Sequence, residues 1–180
     1  MIFFTSDTHF GHNNIIKYEN RPFDNANEMD KVLVSNWNSV VKKSDEVYIL
    51  GDFLFGDGEY ANFICEKLNG RKYLILGNHD SFVNDKNFNI INFEWIKAYH
   101  KLSYNKDKFI LFHYPIQTWD CRHHDAIHLY GHVHSNKNKA MEYNIPNSFN
   151  VGVDVNNFKP VSINEYLKMK VIGSQVVSND

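Results

Sequence analysis

Seven side chains of metal-binding type stand at five points along the sequence, each just after a short apolar run. They are Asp7 and His9, then Asp52, Asn78 and His113, and finally His132 and His134. Histidine is the commonest protein ligand for metals and a frequent general acid, and this chain of 180 residues carries ten. The seven side chains offer two carboxylates, one amide oxygen and four imidazoles. That mixture suits Mn, Fe, Ni, Co or Zn, with Mn favoured, better than Ca or Mg, which prefer oxygen alone. No thiolate belongs to it, which argues against a closed structural zinc site. Seven ligand groups are too many for one tetrahedral ion, and two divalent ions sharing a bridging aspartate account for them. Asp7 and His9, like His132 and His134, are two residues apart, and in extended chain such pairs face the same side. Gly51 and Gly131 precede Asp52 and His132, and glycine lets a chain turn sharply where a ligand is presented.

Such a set needs elements that bring five chain segments to one place. Ile2 to Thr5, Val47 to Leu50 and Tyr73 to Leu76 read as buried strands. Apolar residues recur at helical spacing over about 26–43 and again over 58–69. The first helix opens on a capping-box pattern, Asn25 with Glu28. The order β-α-β-α-β points to a layered α/β sheet, whose ligands bind beyond the carboxyl ends of the strands. Further on, Glu94 to Tyr104, Lys108 to Phe112, Ile127 to Tyr130 and Phe149 to Val155 read as strands. Ser162 to Lys170 reads as a helix. Ser6 to about Asn14 reads as a polar loop, and Asn136-Lys137-Asn138-Lys139 as a solvated one.

Taken in order, Asp-x-His, Gly-Asp, Gly-Asn-His-Asp, His and Gly-His-x-His over residues 7 to 134 resemble the calcineurin-like metallophosphoesterase family. The resemblance implies an α/β fold of two packed mixed β-sheets flanked by helices, a four-layer αββα sandwich, with residues 1–180 as one domain. It implies that Asp7, His9, Asp52 and His134 hold a first metal. Asp52, Asn78, His113 and His132 hold a second, with Asp52 as the bridge. His79 is similar to the family's general acid, and Asp80 is the carboxylate expected to orient it. The chemistry this implies is hydrolysis of a phosphate ester. Two metals lower the pKa of a shared water, hydroxide attacks phosphorus, and His79 protonates the leaving oxygen. Protein Ser/Thr phosphatases of this family carry arginines after Gly-Asp and after Asn-His. Here Phe53 and Asp80-Ser81 follow, so a protein phosphatase is not expected. The chain is more similar to small bacterial, archaeal and phage phosphoesterases, many of which prefer diesters.

Composition is that of an ordinary globular protein, 43% apolar and 22% charged, and the net charge of -2 gives no reason to expect a strongly basic surface, which does not exclude nucleic acid as a substrate. Only three arginines are present, fewer than a doubly charged phosphomonoester usually calls for, which favours a phosphodiester. The expected substrate is an exposed diester such as a cyclic nucleotide or a nucleic-acid end. The alternatives are a phosphomonoesterase of the same fold and a metal-loaded binding protein without turnover. His12 and Arg21 are candidates to contact substrate, as is Arg122 in a loop that would overhang the metals. His100 and His128 read as structural. Cys65 and Cys121, with no basic and apolar leader at the start and no membrane-length apolar run, point to reduced thiols in a cytoplasmic protein.

Overall fold

The computed structural model describes residues 1–135 and 145–177, with side chains to Lys170. The loop expected at 136–139 lies outside the described residues. In the first sheet, β1 (Ile2–Thr5), β2 (Glu46–Leu50), β3 (Arg71–Ile75) and β4 (Trp95–Lys97) run parallel in the order β4-β3-β2-β1. The two-residue β9 (Val161–Ser162) pairs antiparallel to β1. In the second, β5 (Tyr99–Tyr104), β6 (Asp107–Phe112), β7 (Ile127–Tyr130) and β8 (Ser148–Asn150) follow in order. There β5 is antiparallel to β6, and the remaining pairs are parallel. Four α-helices accompany them among the described residues: α1 (Asn13–Tyr18), α2 (Ala26–Val40), α3 (Gly58–Lys67) and α4 (Ile163–Val177). The result is the expected pair of mixed sheets flanked by helices.

Strand alternation explains the layering. Phe3, Val47, Ile49 and Leu74 point to one side and pack on Met29, Leu33 and Trp37 of α2 and Ala61 and Ile64 of α3. Their neighbours Phe4, Tyr48, Leu50 and Ile75 point the other way and meet Phe109, Leu111, Ile127 and Leu129 of the second sheet. Both faces of the first sheet are therefore buried, which is why its strands read as unbroken apolar runs. Each large apolar side chain so buried contributes about 1.5–3 kcal/mol. Ile163 and Tyr166 of α4 join the layer between the sheets. The outer face of the second sheet is covered at Ile110 by Trp119 and Ala126, from the loop between β6 and β7.

Helix ends follow their caps. The Asn25 side chain accepts the Glu28 N–H at 3.0 Å, and Glu28 reaches back to the Asp24 N–H at 2.8 Å. Asp57 caps α3 by accepting the Tyr60 N–H at 2.8 Å. Four expectations are corrected. α2 ends at Val40 instead of 43, because Val41 turns to extended backbone and is buried in the core. The stretch read as a loop to Asn14 contains the start of α1, which is too short to show a period but buries Ile15 and Ile16. The strand expected to reach Val155 stops at Asn150, whose side chain accepts the Gly152 N–H at 2.7 Å. That turn feeds a 3₁₀ segment at Val153–Val155. The 94–104 stretch is two strands, one in each sheet.

His128 on β7 is 0% exposed, with ring nitrogens 3.2 Å from the Ile110 carbonyl and 3.3 Å from that of Tyr114. Burial pushes its pKa down to about 4, against the pull of the two carbonyls. A folded pKa below the ordinary value means that the unfolded chain takes the proton first. Stability from this group is therefore full above about pH 6.5 and falls as pH drops toward 4. Between pH 7 and pH 5 the expected loss is about 2 kcal/mol. Urea unfolding at both pH values should show that difference shrink in His128→Gln. An unchanged difference would assign the slope to other groups.

Candidate metal centre

The loops that follow the strands are stitched together at their starts. The Asp7, His9 and Phe10 N–H groups donate to the carbonyls of Gly51, Asp52 and Phe53 at 3.0, 3.0 and 3.1 Å. The His132 N–H reaches both Asp7 carboxylate oxygens at 3.0 Å, and the His79 N–H donates to Asp52 Oδ1 at 2.8 Å. Each aspartate is thus aimed by the backbone of a different strand end. Glycine is required where these ends touch. A Cβ on Gly51 would lie 2.7 Å from Gly77 Cα and collide with the His113 ring, and one on Gly131 would collide with Ser6 and Asp7.

The ligand spacing works differently from the extended-chain expectation. Asp7, His9, Asp52, His132 and His134 have φ of 55, 50, 51, 71 and 49°, in the left-handed region. Non-glycine residues adopt it at a cost of about 1–2 kcal/mol each. Such strain gathers where a site demands it. The two pairs face inward because both members turn left-handed around an intervening residue, whereas an extended strand would carry them along the sheet.

Among the described residues the outcome is two clusters of these side chains, beside a third group of Glu19, His134 and Asp154. Asp7, His9 and His134 each bring a ligand atom within 4.8 Å of the others, and so do Asp52, His113 and His132. Asp52 stands between them, with Oδ2 3.6 Å from His9 Nε2 and 3.6 Å from His113 Nε2. Asn78 Oδ1 lies 3.1 Å from both His113 Nε2 and His132 Nδ1. All seven side chains singled out in the sequence therefore meet in one place. The donors fit two divalent ions. His9 is buried with neither ring nitrogen hydrogen-bonded, a costly state unless a ligand occupies the lone pair. Burial and the neighbouring His134 push its pKa down to about 2, which keeps that ring neutral. Burial also pushes the Asp7 carboxyl up, against the charges of His134 and His113 and the Ser6 hydrogen bond. A divalent cation reverses that cost. His113 Nδ1 donates to the Leu50 carbonyl at 2.7 Å, so Nε2 faces Asp52 as a lone pair.

The sequence profile described as calcineurin-like phosphoesterase matches residues 1–121. The chain belongs to this family. The uncharacterized protein MJ1445 of Methanocaldococcus jannaschii is 40% identical over 93% of this chain and 90% of its own length. The Gene 66 protein of a mycobacterial phage is 30% identical over 85% of this chain and 87% of its own. A solved structure from Aquifex aeolicus, the protein of unknown function AQ665, superposes with a TM-score of 0.76 at 28% identity. It covers 94% of this chain and 98% of that one. The protein is thus a metallophosphoesterase, a hydrolase of phosphoric esters with groups suited to divalent metals.

Around this phosphoesterase's clusters lie residues that the sequence reading missed or misplaced. Asp154 accepts a hydrogen bond from His134 Nδ1 at 2.8 Å, leaving His134 Nε2 to face Asp7. Burial works against a charged His134, but the Asp154 bond and the Asp7 carboxylate outweigh it and raise its pKa. Arg21 does not face the substrate side. Its side chain is buried, pairs with Asp154 at 2.7 and 2.9 Å, and donates to the Asp7 and Thr8 carbonyls at 2.7 and 3.0 Å. It clamps the loop that carries Asp7 and His9. Asn150 adds a bond to the His134 carbonyl at 3.0 Å. Gly152-Val153-Asp154 repeats the pattern of a small residue before a carboxylate at a strand end, a signal present in the sequence but read there as strand.

Asp80 also does different work. Its oxygens accept the N–H groups of Asp52, Phe53 and Gly77 at 3.0, 2.8 and 2.8 Å. It ties the β2 and β3 ends together instead of orienting His79. Burial pushes its pKa up to about 6, against these three bonds. Arg122 donates to the Gln117 carbonyl at 2.7 Å and lies 5.2 Å over the Trp119 ring, held by its own loop. His12 does lie at the rim. Its ring is 5.3 Å from His9, 6.4 Å from His79 and stacked at 4.3 Å on Phe55.

Asp154→Asn preserves shape but weakens the hold on His134. We expect metal affinity at the first cluster to fall about 10–100-fold, the usual effect of losing such a partner. Competition with a chelating dye measures it. Unchanged affinity would mean that Arg21 alone holds the loop.

Proposed function

We propose that the protein is a dinuclear-metal-dependent phosphodiesterase, with residues 1–180 acting as one catalytic unit. The observation that carries this reading is the pair of three-residue clusters divided by Asp52, with the unpartnered His9 ring in the first. Mn is the favoured metal for the three oxygen donors, two carboxylates and an amide, while the four imidazoles leave Fe, Ni, Co and Zn as the alternatives. Ions bound there would supply Lewis-acid stabilisation of charge on the phosphoryl oxygens and lower the pKa of water.

The remaining steps belong to the chain's own residues. Asp7 and Asp52, fixed by backbone N–H donors, hold negative charge where cations would bind. Leu50 and Asp154 set the tautomers of His113 and His134. His79 is exposed at the rim, its ring 5.5 Å from that of His9, and donates the proton that the leaving oxygen needs. Tyr114, also at the rim, points its hydroxyl at Asn78 Oδ1 over 3.4 Å.

The arginines support a diester over a monoester. Arg21 is buried on Asp154, Arg71 pairs with Glu46 at 2.6 Å at the start of β3, and Arg122 is held by Gln117. None of the three is left for a doubly charged phosphoryl group. A cytoplasmic setting is consistent with free Cys65 and Cys121, and no helix among the described residues is long and apolar enough to cross a membrane.

The test is hydrolysis of bis-p-nitrophenyl phosphate and p-nitrophenyl phosphate after chelation and return of Mn, Ni, Zn or Mg. Chelation should abolish turnover, Mn should restore it, and the diester should be the better substrate. Each ion at 100 times its Kd should also stabilise the fold by about 2.7 kcal/mol. Preference for the monoester would reverse the reading of substrate class. Two ions bound with no turnover on either ester would point to a binding protein.

A further inference from the structure

Beside the metal clusters, and not over them, lies a cavity of about 500 Å³ at the amino end of α2. Gly11 and Phe55 form its near wall, and Phe55 connects it to the site. One ring contact joins Phe55 to His12 at 4.3 Å, and another joins it to His79 at 6.2 Å. The cavity continues between α2 and α3 into a second, of about 240 Å³, that shares Asn27, Asp30, Tyr60 and Phe63 and adds Lys31 and Lys67.

The lining has the chemistry of a base-binding groove. Phe55 and Phe63 are each 51% exposed, a large apolar area to leave in water, and Tyr60 lies beside Phe63 with ring centroids 6.0 Å apart. Asn13 and Asn25 add directed polar groups. The Asn13 oxygen accepts the Ala26 N–H at 2.8 Å and the Asn25 oxygen accepts the Glu28 N–H at 3.0 Å. Those bonds fix which end of each amide is oxygen, so the NH₂ ends are the donors that remain for a ligand. Asp30, beneath them, is buried and satisfied by the Gly11 N–H and the Tyr60 hydroxyl. Aromatic faces with amide donors suit a nucleobase, which offers a π surface and acceptor atoms on its edge. Lys31 lines the far end, and the Lys67 ammonium lies 4.3 Å over the Phe63 ring.

We infer that this groove binds the nucleoside next to the scissile phosphate, so that the substrates are nucleotidyl diesters. The inference rests on the phosphodiesterase reading and extends it to substrate class. The base lies against Phe55 and takes the place of the Lys67 ammonium on Phe63, within reach of Asn13 and Asn25. The lysines meet the next phosphate, which favours a single-stranded nucleic-acid end over a free nucleotide.

Three measurements on the Mn-loaded enzyme test it. The first compares kcat/KM for thymidine 5′-(p-nitrophenyl phosphate) with that for bis-p-nitrophenyl phosphate, which has the same leaving group and no base. The nucleoside ester should be preferred, and Phe63→Ala should lower the ratio roughly tenfold through KM, the size expected from losing one stacking partner. The second is direct binding of thymidine 5′-monophosphate by ligand-detected NMR, weakened to a similar degree in Phe63→Ala. The third is Lys31→Glu with Lys67→Glu, which should slow hydrolysis of tetrathymidylate more than that of the mononucleotide ester. Equal slowing keeps the nucleoside site and assigns a free nucleotide as its source. A ratio near one with no binding of the monophosphate overturns the nucleoside site, while turnover of the simple diester still upholds the phosphodiesterase. Binding of the monophosphate without turnover of either ester does the reverse.

Discussion

Replacing His79 with asparagine is expected to lower kcat by about 10²–10⁴-fold on diesters with poor leaving groups, while both ions stay bound. The reason is positional. His79 is exposed and belongs to neither three-residue cluster, so its ring is free to meet a substrate. Its structural link to the site is the backbone N–H that donates to Asp52 Oδ1 at 2.8 Å, and asparagine retains that group. A p-nitrophenolate leaving group barely needs a proton, so the loss on bis-p-nitrophenyl phosphate should be far smaller than on an alkyl ester. The measurement is a series of diesters of rising leaving-group pKa, with metal content assayed in parallel. A uniform loss across the series would remove His79 from proton donation. Loss of metal would make it a structural residue.

Asp52→Asn is expected to remove activity by about 10³-fold or more, because several kcal/mol of charge stabilisation by the metals depends on this carboxylate. The amide would keep the shape and an oxygen for the His79 N–H, but not the charge between the clusters. Without metal the same charge is a burden: Asp52 is buried 3.6 Å from two imidazoles, and it raises the Asp7 pKa after burial itself, the largest cause. The metal-free variant should therefore melt at the same temperature as the metal-free parent or higher, and it should lose most of the rise in Tm that Mn produces. Thermal scans with and without Mn read both effects. A metal-free variant that melts well below the parent would show that Asp52 stabilises the fold itself, and the activity loss would then say little about metal.

The reach of the sequence can be followed residue by residue. The ligand types were legible because each is a local event: an apolar strand stops, and Asp7, Asp52, Asn78, His113 or His132 follows at once. In a parallel sheet the strand ends gather at one edge, so local endings forecast a common site. The faces of α2 and α3 were legible for a similar reason, since periodicity and the Asn25 cap of α2 act over a few neighbouring residues. Other features left no local trace. Residues 94–104 look alike along their length, yet the chain passes from one sheet to the other at Ala98, a choice made by which strands stand open for pairing. Arg21 and Asp154 are 133 positions apart, and nothing near either announces the pair. Asp80 sits beside His79 in sequence, but its oxygens turn to the backbone amides of Asp52, Phe53 and Gly77, because donors there are buried and need an acceptor. Residue types and strand endings were enough to name the atoms that can bind metal. How those atoms are held follows from the folded chain, through left-handed turns at five ligands and glycines where the strand ends touch. Those features depend on contacts between segments distant in sequence, from Gly51 on Gly77 to the His132 N–H on Asp7, and such contacts exist only in the folded chain.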